Sequence, residues 1–268
     1  VELSSSSETL RSFRNGLIDA AALTLDEALR LADEGQDIRL VAMLDASAGA
    51  DVVMARPDIK TPQALKGETI AVEPSTVGAL MLHRLMQAGG LHTGDVNVLN
   101  LEAGLHLEAL NKGRVAAAVS YQPLAGTMQR AGFQPIFDSV GMSDELMNVL
   151  VVRHSMLEQR PAQVDRLVAA WRDGLAVFTR EREAVATEMA RGADMTPQEY
   201  LSTLSGLAFY SLTDSLAQLG GRPPALVHEG ERLVLTLRST GAIRNPPDWD
   251  VLIDAGPLRR VQAAGDAP

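Results

Sequence analysis

Hydroxyl, amide and carboxylate side chains recur where strand-like runs give way to helix-like ones: Ser4 to Ser7, Thr24 to Glu27, Glu73 to Thr76, and Tyr121-Gln122. In parallel sheets ligands bind beyond the carboxyl ends of the strands, where helix N-termini leave amides unpaired. Each junction also has a plainer role. Serine or threonine before a helix is ordinarily a cap, and Asp26 and Glu27 would complement a helix dipole in its first turn. Glu73 fits the plainer role least, because it closes an apolar, buried-looking strand and precedes Pro74, where a cap would be hydroxylic or small. Glu145, in Gly141-Met142-Ser143-Asp144-Glu145, lies where the chain returns towards a last strand. Two like charges about 4 Å apart repel by about 4 kcal/mol at an effective dielectric of 20. Several carboxylates around one cleft would therefore favour a ligand with a cationic or hydrogen-bond-donating part.

No catalytic signature accompanies these residues. The sequence holds no G-x-S-x-G elbow, G-x-G-x-x-G turn, P-loop or H-E-x-x-H helix. Its five histidines, His83, His92, His106, His154 and His228, are scattered without ligand spacing, so neither a metal nor another cofactor is expected. His106, near a helix start, is read as a surface or capping residue, with a site contact as the alternative. The absence of cysteine removes disulfides, thiolate zinc sites and cysteine nucleophiles together.

The 268 residues make one large domain or two small ones, long enough to bury a core without a staple. Lys plus Arg number 24 against 34 Asp plus Glu, a net charge of −10, and no basic cluster stands out, which argues against a nucleic-acid partner. No apolar run reaches the roughly 18 to 20 residues of a membrane helix. Val1-Glu2-Leu3 runs into serines without a basic segment or apolar h-region, so a leader, if the protein is exported, is expected upstream.

The elements that must position these residues alternate. Ser5 and Glu8 have capping-box spacing and start a helix through Leu10 and Phe13 that stops at Gly16. A strand, 18–24, is followed by a helix begun by Thr24 and Glu27 and ended at Gly35. Strands 39–44 and 51–55 follow, joined by the turn-like 46–49, then a short helix from Thr61-Pro62 to Gly67. Strands 69–72, 96–101, 115–120 and 135–137 alternate with helices 75–88, 105–112 and 123–131, and 148–153 is a last strand. Such alternation predicts an α/β architecture with parallel sheets. The C-terminal third is predicted helical, with low regularity from Asn245. The stretches 13–21 and 110–118 share one pattern: a helix end, a glycine (Gly16, Gly113), then a small-residue strand. Two similar α/β lobes account for it.

The stretches 13–21, 24–29, 49–57 and 65–67, with Phe137-Asp138-Ser139, resemble the nitrate/sulfonate/taurine-type substrate-binding proteins of bacterial ABC transporters, a grouping that includes relatives resembling thiamine-pyrimidine biosynthesis proteins. The similarity covers about residues 1 to 240. It implies a two-lobed type II periplasmic binding protein fold with a helical C-terminal region, lobe one being 1–67 plus 149–268 and lobe two 68–148. It also implies an interlobe cleft that holds a small organic molecule through Ser6, Thr24, Asp26, Ser47, Glu73, Ser75, Thr76, Tyr121 and Gln122. Hydroxyls at Ser75-Thr76 suit a sulfonate; Glu73 beside them suits a nitrogen-containing ligand instead. The resemblance implies a monomer without enzymatic activity, partnered by an ABC permease, in the periplasm or anchored outside the cytoplasm. The alternatives from other classes are a cleft enzyme on the same fold and a ligand-sensing module.

Overall fold

A computed structural model describes residues 3, 5–73, 76–192 and 195–265 of the chain. Among them form the strands β1 (Ala20–Thr24), β2 (Ile38–Ser47), β3 (Asp51–Ala55), β4 (Thr69–Val72), β5 (Asn97–Asn100), β6 (Ala117–Tyr121), β7 (Gln134–Asp138), β8 (Met147–Arg153) and β9 (Leu207–Phe209). The helices α1 (Ser6–Arg14), α2 (Leu25–Asp33), α3 (Thr76–Ala88), α4 (His106–Asn111) and α5 (Leu124–Arg130) are interspersed among the first eight. The rest is helical apart from β9: α6 (His154–Gln159), α7 (Pro161–Arg180), α8 (Arg182–Gly192), α9 (Pro197–Leu204), α10 (Leu212–Leu219), α11 (Leu226–Ser239), α12 (Trp249–Leu252) and α13 (Gly256–Gly265).

The repeated pattern of helix end, glycine and strand is the same local structure twice. Gly16 and Gly113 hold φ of +70° and +64°, where a Cβ would be strained. Beyond each, an amide reaches back five residues, Leu17 to the Ser12 carbonyl and Arg114 to that of Ala109, both at 2.9 Å. This closure satisfies carbonyls at the helix end and turns the chain into β1 or β6.

The chain divides into two compact units, 1–9 with 47–142 and 186–207, and 10–46 with 143–185 and 208–268. This differs from the expected division of 1–67 plus 149–268 against 68–148. The reason is β3, which pairs antiparallel with both β6 and β7 and so carries its segment into their unit. At the other boundary the chain passes over at 142–143, before β8 rather than after its first residues.

The first unit holds a five-stranded sheet in the order β5-β4-β6-β3-β7, with β4 parallel to β5 and β6. Val52, Met54, Ala71 and Ala118 pack from its strands against Ala109 and Leu110 of α4 and Ala125 and Met128 of α5. The second unit holds a sheet in the order β1-β8-β2-β9, with β8 antiparallel to both neighbours. Leu25 and Leu29 of α2 are fully buried there, and each stabilises by about 1.5 to 3 kcal/mol relative to exposure.

The expected all-parallel sheets fail at β3 and β8. β3 runs antiparallel to β6 and β7, and β8 antiparallel to β1 and β2. The segment from Asn245 is more regular than expected. It carries α12 and α13, and between them Ile253 bridges Leu40 in parallel while the Asp254 amide donates to the Leu40 carbonyl at 3.0 Å. The short helix after Thr61 is a single 3-10 turn, Pro62–Leu65.

Candidate functional site

One edge of the five-stranded sheet gathers several of the residues singled out from the sequence. The parallel strands β4, β5 and β6 finish there, and β3 begins there, because Asp51 pairs with Tyr121. β7 also finishes there, since Val52 pairs with Asp138. Glu73, Glu102, Tyr121, Gln122 and Ser139 therefore follow or end strands at one edge. Ser6 opens α1 in the same unit, Ser47 closes β2 at its border, and the backbone of Thr76 opens α3. Ser75 lies outside the described residues, as does Ser4.

Glu73 is 5% exposed. Burial pushes its carboxyl pKa up; hydrogen bonding from the backbone and side chain of Ser7 opposes this, and the negative charge of Glu102 adds to it. The Ser7 hydroxyl favours the charged carboxylate by proximity, but neither Ser7 Oγ nor Glu73 Oε1 completes a hydrogen bond of good geometry. Ser120 stands two residues past Ala118 on β6, as Glu73 stands two past Ala71 on β4, and Ala71 and Ala118 are partners. Its Oγ is also buried without a partner. Buried polar atoms left unmatched cost about 1 to 3 kcal/mol each.

Other hydroxyl and amide groups at this edge are occupied within the protein. Ser47 Oγ lies 2.7 Å from Ser139 Oγ and accepts from the Asp51 amide at 3.2 Å. Gln122 donates its amide to the Ala50 carbonyl at 3.0 Å, and its Oε1 accepts from the Gly126 amide at 3.2 Å, serving the first turn of α5. Gln122 also lines a recess of about 250 Å³ with Arg130, Glu199 and Thr203. Tyr121, the last residue of β6, is half-buried.

Thr24, Asp26 and Glu145 belong to the other unit. Thr24 ends β1 and precedes α2, where a full capping box was expected. The box is present: the Thr24 amide donates to Glu27 Oε2 at 3.2 Å, and the Thr24 side chain faces the Glu27 amide, although its buried Oγ1 does not reach full hydrogen-bond geometry. Asp26 is wholly buried in the first turn of α2, where the helix dipole favours a carboxylate. Glu145 is half-buried in the turn before β8.

Sequence reasoning missed a polar pair in this unit. Asn148 Nδ2 of β8 donates to Asp45 Oδ1 of β2 at 2.7 Å, and the same Asn148 stands opposite Thr24 of β1. The available signal was an aspartate inside the otherwise apolar run 40–46. The reading of His106 as a surface or capping residue is also overturned. It is fully buried, and its Nε2–H donates to the Leu101 carbonyl at 2.9 Å, tying the end of β5 to α4. Burial pushes its pKa down, against the carbonyls of Leu101 and Val119, so the ring is held neutral. Among the described residues no group of three or more His, Asp or Glu could hold a metal ion, and no helix is long and apolar enough to cross a membrane.

Residues 1–192 match the model of the NMT1-like family. No curated protein sequence matches the chain. Among solved structures, the ligand-binding component of an ABC-type import system from Staphylococcus aureus, with zinc bound, superposes with a TM-score of 0.79 at 14% identity, covering 97% of this chain and 87% of that one. The periplasmic aliphatic sulphonate-binding protein SsuA of Escherichia coli gives 0.74 at 16%, covering 95% and 81%. The desulfurization enzyme DSZB gives 0.68 at 18%, covering 92% and 86%. At these identities the likeness is one of fold, and the fold is the type II periplasmic-binding-protein fold expected from the sequence.

Proposed function

The chain belongs to the NMT1-like family, and on that premise we propose that it is the solute-binding protein of a bacterial ABC import system, carrying a small nitrogen-bearing organic molecule to a membrane permease. It works outside the cytoplasm as a monomer and without chemistry of its own. Binding proteins of ABC-type import systems share its fold, and the single observation that carries the choice of ligand is Glu73.

A carboxylate 5% exposed at the end of β4, with Oε1 unmatched, suits an amine, amidine or heterocyclic N–H better than a sulfonate. Charge-assisted hydrogen bonds to a desolvated carboxylate are the strong kind. A sulfonate there would face Glu73 and Glu102 together, and like charges at close range repel by several kcal/mol.

Native mass spectrometry of protein purified without denaturation, followed by calorimetry with the recovered compound, tests the reading. Glu73→Gln is expected to weaken affinity by about tenfold or more, the loss that follows when one partner of a buried charged hydrogen bond is removed. It should leave the unliganded melting temperature unchanged or higher. Equal affinity in the variant, or ethanesulfonate or nitrate as the tightest ligand, overturns it. Chemical change in the recovered compound would place the chain among enzymes, as DSZB is on this fold.

A further inference from the structure

We propose that Asp45 is a ligand-recognising carboxylate, aimed by Asn148 and flanked by Thr24, which takes a protonated amine or amidine. The inference rests on the solute-binding reading above.

β8 lies between β1 and β2, and Asn148 stands opposite both Thr24 and Asp45. Residues directly opposite in antiparallel strands share a face of the sheet. Thr24, Asn148 and Asp45 therefore form a row of polar side chains across three strands. The next row, Leu23, Val149 and Met43, falls on the opposite face and is buried.

Asp45 is not a surface acid like its neighbours in the unit. Asp19, Asp37 and Asp165 each pair with an arginine, Arg160, Arg39 and Arg260. Asp45 sits between the buried Leu44 and Ala46. Among the described residues its one stabilising partner is the Asn148 amide, with no cation beside it. Burial raises its pKa, and its charge helps push up that of Tyr210, whose amide donates to the Leu44 carbonyl at 2.8 Å. Such a carboxylate costs stability unless something cationic completes it.

The row is also of one chemical kind. Asn148 donates through Nδ2 to Asp45 Oδ1, so its own Oδ1 remains an acceptor. Thr24 Oγ1 is buried and unmatched. Asp45 Oδ2, Asn148 Oδ1 and Thr24 Oγ1 therefore offer acceptors side by side, which suits a group carrying several N–H donors: an ammonium, amidinium or guanidinium.

The test is calorimetry on the full chain with benzamidine as the cationic probe and ethanesulfonate as the anionic one. Benzamidine should bind the parent, and Asp45→Asn should weaken it by about tenfold or more. Thr24→Val keeps the bond from the Thr24 amide to Glu27 and gives up only the cap that the Thr24 hydroxyl offers the Glu27 amide, so it should still fold and should weaken benzamidine severalfold; it decides alone if Asp45→Asn does not fold. Benzamidine binding as tightly to folded Asp45→Asn and to Thr24→Val as to the parent, or no benzamidine binding to the parent, overturns the inference. Sensitivity to Glu73→Gln with indifference to Asp45→Asn would leave the solute-binding reading standing and remove this one. A parent that takes up no small molecule at all would remove both.

Discussion

The hydroxyls of Ser47 and Ser139 touch at 2.7 Å, both buried, between residues 92 positions apart. Ser139 Oγ accepts from the amides of Gly49 at 2.9 Å and Asp51 at 3.2 Å. A hydroxyl has two lone pairs and one proton, so Ser139 must donate to Ser47. Ser47 Oγ then accepts from Ser139 and from the Asp51 amide. The two serines thus knit the turn that opens β3 to the end of β7.

Ser139→Ala should therefore act on stability. It removes the acceptor of the Gly49 amide, while the Asp51 amide keeps Ser47 Oγ at 3.2 Å, and an unsatisfied buried amide costs about 1 to 3 kcal/mol. Urea denaturation is expected to show a loss of that size. Ser47→Ala should cost less, about 1 kcal/mol, with ligand affinity unchanged. A Ser47→Ala variant that keeps its stability and loses affinity would return Ser47 to the binding edge.

Two glycines should respond to alanine in opposite ways. A Cβ on Gly206 would lie 2.7 Å from the Ala50 nitrogen and 2.8 Å from the Gly49 carbonyl carbon, both backbone atoms that cannot swing aside. The approach is close because the Ala48 amide donates to the Gly206 carbonyl at 2.7 Å. Gly206→Ala should cost about 1 to 3 kcal/mol. Gly174, inside α7, has open space around its Cβ position, and Gly174→Ala should stabilise by about 0.5 to 1 kcal/mol through helix propensity. Urea midpoints of the two variants should move to either side of the parent.

The contrast between Glu73 and Asp45 shows which parts of the site were legible in the sequence. Glu73 could be found because its signal is local: a carboxylate closing an apolar run just before a proline. The fold class was legible for the same reason, since Gly16 and Gly113 each follow a helical stretch and precede a small-residue strand. Asp45 shows its role only through Asn148, 103 residues away. Periodicity reports that a strand is buried, not which strand lies beside it. The antiparallel course of β3 and β8, the passage of the chain between units at 46–47, and the Ser47–Ser139 contact are pairing facts of that kind. His106 misled because a helix start usually lies at the surface, whereas this one opens beneath β6.

The pH dependence of stability reports on Glu73 and Asp45. Burial holds Glu73 and Asp45 above the usual carboxylate range. The folded state then binds their protons more tightly than the unfolded one, so stability falls as pH rises from the unfolded value of about 4 through the raised folded values, and levels off above them. His106 acts the other way. Its pKa is lowered, so the unfolded state takes up the proton first, and stability falls as pH drops below about 6.5. The opposing contributions overlap, and the informative quantity is the difference between variant and parent. For Glu73→Gln and Asp45→Asn, the unliganded variant should be at least as stable as the parent at pH 7, and its advantage should shrink as the pH is lowered towards about 4.5. Melting temperatures at pH 5, 6 and 7 check this. A variant that is less stable than the parent at pH 7, or whose difference from it does not change with pH, would mean that the carboxylate is already compensated within the unliganded protein and is not held in reserve for a cation.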